Sequence, residues 1–235
     1  AEAFARAGAR VVLADIDDRG GQATCDALAA EGCDVAFLHT DATNEADVAA
    51  LIRFAVDRMG GLDIAANVAG GGHPTAAGPE FHTQGLEGWD FTIGLSLTSV
   101  FLSMKHEIAH MADRGGGTIV NVTSLAGLLH VPIAGAAYAA AKAGVIRLTK
   151  FAAVNYAARG IRVNCIAPGV VPTAGYETAG PEIAQAIIAD LVTHQPIART
   201  ISPAEQAAAI LWLCSDEAAM VTGQVLPIDG GWSAR

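Results

Sequence analysis

The chain has 235 residues, 52% of them hydrophobic and 16% charged, with a formal net charge of −10. This length suits one large α/β domain with a sizeable core, and the negative charge excludes nucleic acid or an anionic membrane surface as partners held by charge. No apolar run approaches the roughly 18 residues that a membrane span requires, and four cysteines without a C-x-x-C pair (Cys25, Cys33, Cys165, Cys214) read as reduced thiols of a cytoplasmic protein.

Residues 1–7 have helical spacing and stop at Gly8, and residues 10–15 (RVVLAD) form an apolar strand closing on a carboxylate. Helix is predicted over 20–31, strand over 34–39, helix over 44–59 with Asn44 as its cap, and strand over 62–68. Most of 86–113 is helical, followed by a strand at 118–123, a helix at 136–159 and a strand at 161–167. After an irregular stretch come a helix at 203–214 and a last strand at 224–228. Alternation of this kind, with near-continuous apolar strands, predicts a parallel sheet covered by helices on both faces: a doubly wound, Rossmann-like α/β fold forming one domain over 1–235. Ligands of such folds sit at the carboxyl ends of the strands.

The densest chemistry lies between residues 119 and 142, IVNVTSLAGLLHVPIAGAAYAAAK. A buried strand ends in the hydroxyl pair Thr123 and Ser124, a loop follows, and an alanine-rich helix begins near Ala136. Tyr138 and Lys142 are four residues apart on that helix and so share one face. A cation beside a phenol favours phenolate, which predicts a tyrosine titrating below its reference of about 10. Such a tyrosine can exchange a proton with an alcohol or carbonyl oxygen near neutral pH, and Ser124 can hydrogen-bond the same oxygen.

Ser-x-Ala-Gly after a strand, followed by Tyr-Ala-Ala-Ala-Lys-Ala-Gly, resembles the active-site segment of the short-chain dehydrogenase/reductase family, and the resemblance covers essentially the whole chain. It implies an NAD-dependent oxidoreductase interconverting a secondary alcohol and a ketone, with Tyr138 as acid/base, Ser124 orienting the substrate oxygen, and Lys142 holding the nicotinamide ribose. Asp15 closes the strand whose carboxylate bonds the adenosine ribose in the family. Ile16, where an arginine would greet a 2′-phosphate, favours NAD over NADP. Asp41 and Ala42 resemble the pair beside the adenine ring. Asn67, Val68, Ala69 and Gly70 resemble the Asn-Asn-Ala-Gly segment, with Val68 replacing its second asparagine. Pro168, Gly169, Val171 and Thr173 match the segment that meets the nicotinamide carboxamide and phosphates, and Asp229-Gly-Gly-Trp232 matches the family's C-terminal strand. The resemblance further implies a homotetramer built through the helices at 97–111 and 136–159, and a mobile lid at 173–200, with Tyr176 and His194, over a small alcohol or ketone. His130 falls in the active-site loop.

Two departures stand out. The glycine-rich phosphate loop should precede the acidic residue by about 20 positions, which Asp15 does not allow. The expectation is therefore a chain shortened at its N-terminus, lacking a first strand that would lie between the strands ending at Asp15 and Val68. Ser96 occupies the place of a catalytic asparagine that fixes a relay water. A different class of reading, a non-catalytic dinucleotide-binding or scaffold protein, rests on these departures, and intact Ser124, Tyr138 and Lys142 oppose it. His106-Glu-Ile-Ala-His110 spells the H-E-x-x-H of zinc peptidases, but no third ligand follows at their spacing and the same helix carries an ordinary apolar stripe; no metal is expected.

Overall fold

The computed structural model describes residues 1–74, 80–173 and 180–235. Alternation along strand β4 (Gly117–Val122) decides how its layers form, for Ile119 and Val120 are both fully buried. Neighbouring side chains of a strand point to opposite faces, so the two must be covered from opposite sides. Ile119 packs with Ala65 and Val163 beneath α5 (Ser99–Arg114) and α6 (Ala136–Tyr156), which contribute Val100, Met104, Met111 and Val145. Val120 packs with Ile166, with Ile210 and Leu213 of α8 (Pro203–Cys214), and with Phe4 of α1 (Glu2–Arg6). Helices thus cover both faces.

Strands β3 (Ile64–Asn67), β4, β5 (Ile161–Pro168) and β6 (Val225–Ile228) run parallel in that order, and β1 (Val11–Asp15) pairs in parallel with β2 (Val35–His39). Among the described residues β1 bonds only β2, and β3 only β4, so the ladder is interrupted between β1 and β3. Helix α2 (Asp18–Ala30) covers the β1–β2 pair through Cys25 and Leu28, and α3 (Glu45–Met59) touches both β1 and α5.

Local chemistry explains most boundaries. Asp17 caps α2 by accepting from the amides of Arg19 and Gly20, and Asn44 caps α3 as expected, accepting from Ala46. Helix α3 stops at Gly60, whose φ of 82° is left-handed and suits glycine. Helix α8 opens with a complete Ser202/Glu205 capping box and Pro203 in the first turn. The helix expected over 86–113 is two helices, α4 (Leu86–Ile93) and α5, joined by a π-helical turn, Gly94–Thr98. The stretch expected to be irregular contains α7 (Pro181–Val192). Its cause is legible afterwards: Pro181 supplies a preformed φ at the helix start, and Ile183, Ala184, Ile187, Ile188 and Leu191 recur at helical spacing, with Ala184 and Leu191 buried.

Candidate active site

Strand β4 and helix α6 are tied together where β4 ends. Thr123 Oγ1 donates to the carbonyl of Lys142 at 2.6 Å, and Lys142 Nζ donates to the carbonyl of Val122 at 2.9 Å. Gly127 lets the intervening turn lie against α6, because a Cβ there would stand 2.7 Å from the carbonyl carbon of Lys142. Ser124 starts that turn by accepting from the amide of Ala126 at 3.2 Å. The result brings Ser124, Tyr138 and Lys142 to one place at the carboxyl edge of the sheet. Lys142 Nζ lies 5.7 Å from the centroid of the Tyr138 ring.

Electrostatics at this cluster differ from the expectation. Lys142 is 2% exposed, and burial pulls its ammonium from an ordinary 10.5 down to about 8. Burial also dominates at Tyr138, pushing the phenol above its ordinary value, while a hydrogen bond with Ser124 pulls the other way. The predicted early titration of Tyr138 driven by Lys142 is therefore corrected: the cost of withdrawing phenolate from water dominates, and the opposing pull comes from Ser124. The cluster is held as phenol and ammonium near neutral pH.

Facing it is the turn after β3. Ser96, fully buried in the π-helical turn, accepts from the amide of Gly71 at 2.8 Å and donates to the carbonyl of the same residue at 2.7 Å. A hydroxyl has one hydrogen, so that hydrogen is already committed; Ser96 acts on the backbone of the turn before it can act on a water. A Cβ on Gly70 would stand 2.7 Å from Lys142 Nζ and 3.4 Å from Ser96 Oγ. Only glycine brings the chain this close to the lysine. His73 is held alongside, its amide donating to Thr92 Oγ1 at 3.0 Å.

Asn67, expected on the cofactor side, turns its carboxamide inward. Its Nδ2 donates to Glu107 Oε2 at 3.1 Å and to Asn121 Oδ1 at 3.0 Å, and Asn121 Nδ2 donates onward to Thr149 at 2.9 Å. Glu107 lies fully buried among these groups, and desolvation pushes its carboxyl from 4.5 up to about 7. Sequence reading took Glu107 only as part of H-E-x-x-H; its place on the buried stripe with Val100, Met104, Ile108 and Met111 was the available signal. His106 Nε2 sits 3.2 Å from Glu45 Oε1, and among the described residues no group of three His, Cys, Asp or Glu side chains could hold a metal.

The remaining candidates lie at strand ends. Asp15 accepts from the amide of Asp17 at 3.0 Å and stays exposed, with Ile16 beside it and Val68 at the end of β3, 64% and 60% exposed. Asp41 accepts from the amide and hydroxyl of Thr43 at 2.8 and 2.7 Å, which holds its carboxyl below the usual range; Ala42 is half-buried. Ala69 is exposed between Val68 and the Gly70 turn. Gly169 continues the pairing of β5 with β6 through its amide to the carbonyl of Ile228 at 2.9 Å, and Pro168, Val171 and Thr173 lead away from the edge. His130 is exposed in the loop before α6. His194 stacks on Trp232 at 4.8 Å between centroids. Tyr176 lies outside the described residues.

These residues fit a nicotinamide dinucleotide. Lys142 carries three N–H donors of which Val122 takes one, so the buried ammonium can still bond ribose oxygens. The Gly70 turn brings its main chain against the lysine, Asp15 presents a carboxylate to hydroxyls, and exposed Ile16 and Val68 offer apolar surface to a flat base.

A doubly wound parallel sheet carrying a hydroxyl, a phenol and an ammonium at its carboxyl edge defines a class, the nucleotide-cofactor oxidoreductases. Residues 1–233 match the family model described as Enoyl-(Acyl carrier protein) reductase. The chain is similar to the cis-4-hydroxycyclohexanecarboxylate dehydrogenase of Sinomonas cyclohexanicum, 40% identical over 100% of this chain and 90% of that one. It is also similar to the 2,5-dichloro-2,5-cyclohexadiene-1,4-diol dehydrogenase LinX of Sphingobium indicum, 36% identical over 99% of this chain and 90% of that one. The crystal structure of gox2181 superimposes with a TM-score of 0.90 at 30% identity, covering 99% of this chain and 89% of that one. The chain belongs to the short-chain dehydrogenase/reductase family. It is an oxidoreductase acting on CH–OH groups through a nicotinamide cofactor.

Proposed function

We propose that the protein is an NAD-dependent dehydrogenase of alicyclic secondary alcohols, converting a ring carbinol to its ketone. The observation that carries this reading is the convergence of Ser124, Tyr138 and Lys142 at one strand end. Bound there, the nicotinamide would supply the hydride acceptor. Tyr138 takes the hydroxyl proton as phenolate, its own proton having first passed to solvent, Ser124 hydrogen-bonds the oxygen on which charge develops, and Lys142 holds the ribose and keeps a positive charge beside that phenolate. Burial holds the proton on the Tyr138 phenol, so the reducing direction can use it directly as the acid, while the oxidising direction requires its prior loss. Main-chain groups of the turn at Ala69 and Gly70, with Pro168, Gly169, Val171 and Thr173, contact the cofactor from the two sides of β4. Asp15, with Ile16 beside it, Asp41 and Ala42 serve the adenosine end and supply the preference for NAD over NADP. The ring-alcohol substrates of the two curated relatives support an alicyclic substrate here.

Exposed Phe101 on α5 and Phe151 and Val154 on α6 support a homotetramer joined through these helices. Four free cysteines support a cytoplasmic location, and no helix among the described residues is long and apolar enough to cross a membrane. Cyclohexanol, a 4-hydroxycyclohexanecarboxylate and linear secondary alcohols should be offered with NAD and with NADP, following reduced cofactor by absorbance. Turnover of ring alcohols with NAD is expected. Exclusive use of NADP, or of linear substrates, would overturn the finer reading.

A further inference from the structure

Strand β5 ends at Pro168, yet the backbone beyond it is still held in a ladder-like way. Gly169 donates its amide to the carbonyl of Ile228. The next amide, Val170, has no strand to bond; it donates to Gln195 Oε1 at 2.8 Å, while the carbonyl of Val170 accepts from the amide of Ile201 at 2.9 Å. Gln195 is fully buried, and its Nε2 donates to the carbonyl of Arg199 at 2.6 Å. One carboxamide thus stands in for a missing β-strand, bonding the main chain on both sides. One glycine makes room for the carboxamide and two more for the chain that carries it. A Cβ on Gly169 would strike Gln195 Oε1, one on Gly230 would stand 3.2 Å from Gln195 Cβ, and one on Gly231 would press on Pro196 at 3.2 Å. The far side of the loop is anchored as well, by Arg199 paired with Glu205 at 2.6 Å and by the amide of Ile197 on the carbonyl of Gly230 at 2.9 Å.

We infer that Gln195 is a positioning residue that fixes Val170 and thereby aims residues 171–173 toward the bound nicotinamide cofactor. The inference rests on the reading given under Proposed function, which places the segment beginning at Pro168 against the cofactor. Among the described residues the buried amide of Val170 bonds only this side chain, and an unpaired buried donor forces the backbone to move or to take up water. The main chain of the same residue meets the end of α7, the amide of Gln195 bonding the carbonyl of Val192, so the end of that helix and the cofactor segment are tied through one residue.

The test substitutes Gln195→Met, which keeps length and volume but has no amide, and Gln195→Asn, which keeps the amide but falls one methylene short and covers the case in which the methionine variant does not fold. Hydrogen–deuterium exchange of the Val170 amide in the protein without cofactor should accelerate at least tenfold in either variant. Equilibrium titration with NADH should weaken about tenfold, with KM for NAD rising more than kcat falls. Unchanged exchange at Val170 overturns the inference, as does faster exchange accompanied by unchanged NADH binding, which would make Gln195 a structural residue only. If the unsubstituted protein takes up neither NADH nor NADPH, it is the proposed function that fails, and this inference with it.

Discussion

Replacing Glu107 by glutamine keeps the shape of a fully buried side chain and removes its charge. The carboxyl accepts from Asn67 and, among the described residues, has no cation beside it, and burial raises its pKa from 4.5 to about 7. A folded-state value above the unfolded one means that the native protein holds the proton over an interval in which the unfolded chain has released it. Stability must then fall as pH rises from about 4.5 to about 7, and the full cost of burying the charge is present above that. At about 1.4 kcal/mol per pH unit the cost is on the order of 3 kcal/mol. Lys142 acts in another window and with the opposite sign: its value is lowered to about 8, so its cost is complete below that and is relieved as pH rises toward 10.5. Glu107→Gln should accept the same bond from Asn67 and lose the acid-side slope. Urea unfolding of both proteins at several pH values between 4.5 and 8 reads the difference directly. The variant should be more stable by about 3 kcal/mol at pH 7.5, a rise in Tm on the order of 6 to 12 °C for a domain of this size, and the two should converge near pH 4.5. Parallel curves across that range, or a variant less stable at pH 7.5, would refute the reasoning.

Three further outcomes follow from the site. Tyr138→Phe removes the proton acceptor at nearly constant volume; steady-state turnover should fall by about 10² to 10⁴ while NADH titration shows retained binding. Asp15→Ala should weaken NAD and narrow its advantage over NADP, measured as the ratio of kcat/KM for the two cofactors; a parent enzyme that already prefers NADP contradicts the assignment. Ser96→Ala frees both backbone groups of Gly71, two neutral hydrogen bonds worth roughly 0.5 to 1.5 kcal/mol each, so kcat/KM should drop about tenfold, and Ser96→Asn, which again carries a donor and an acceptor, should recover most of it.

What could be read from the sequence depended on how far apart the interacting residues lie along the chain. Tyr138 and Lys142 were legible because four residues on a helix fix their relation, and Asn44 and the strand-closing Asp15 because caps and strand ends are local events. Helix α7 was overlooked for a softer reason: its apolar stripe is there, but the glycines, threonines and prolines around it dominate the composition of that stretch. Glu107 sat in plain sight on a buried stripe and was eclipsed by the zinc-like spelling of its neighbours.

The direction of the Tyr138 shift could not be read locally at all. Spacing says that a cation is near; it does not say how much water the fold removes, and here desolvation is the larger effect. The same limit governs the two side chains that hold the backbone of the site. Ser96 reaches Gly71 across 25 positions, and Gln195 reaches Val170 across 25. Neither a serine in a helix nor a glutamine before a proline has a pattern that announces such a partner. Each becomes recognisable only once the carboxyl edge of the sheet is assembled and one asks which side chain satisfies each buried amide. Chemistry-bearing residues could therefore be named from the chain alone, whereas the residues that aim them could not.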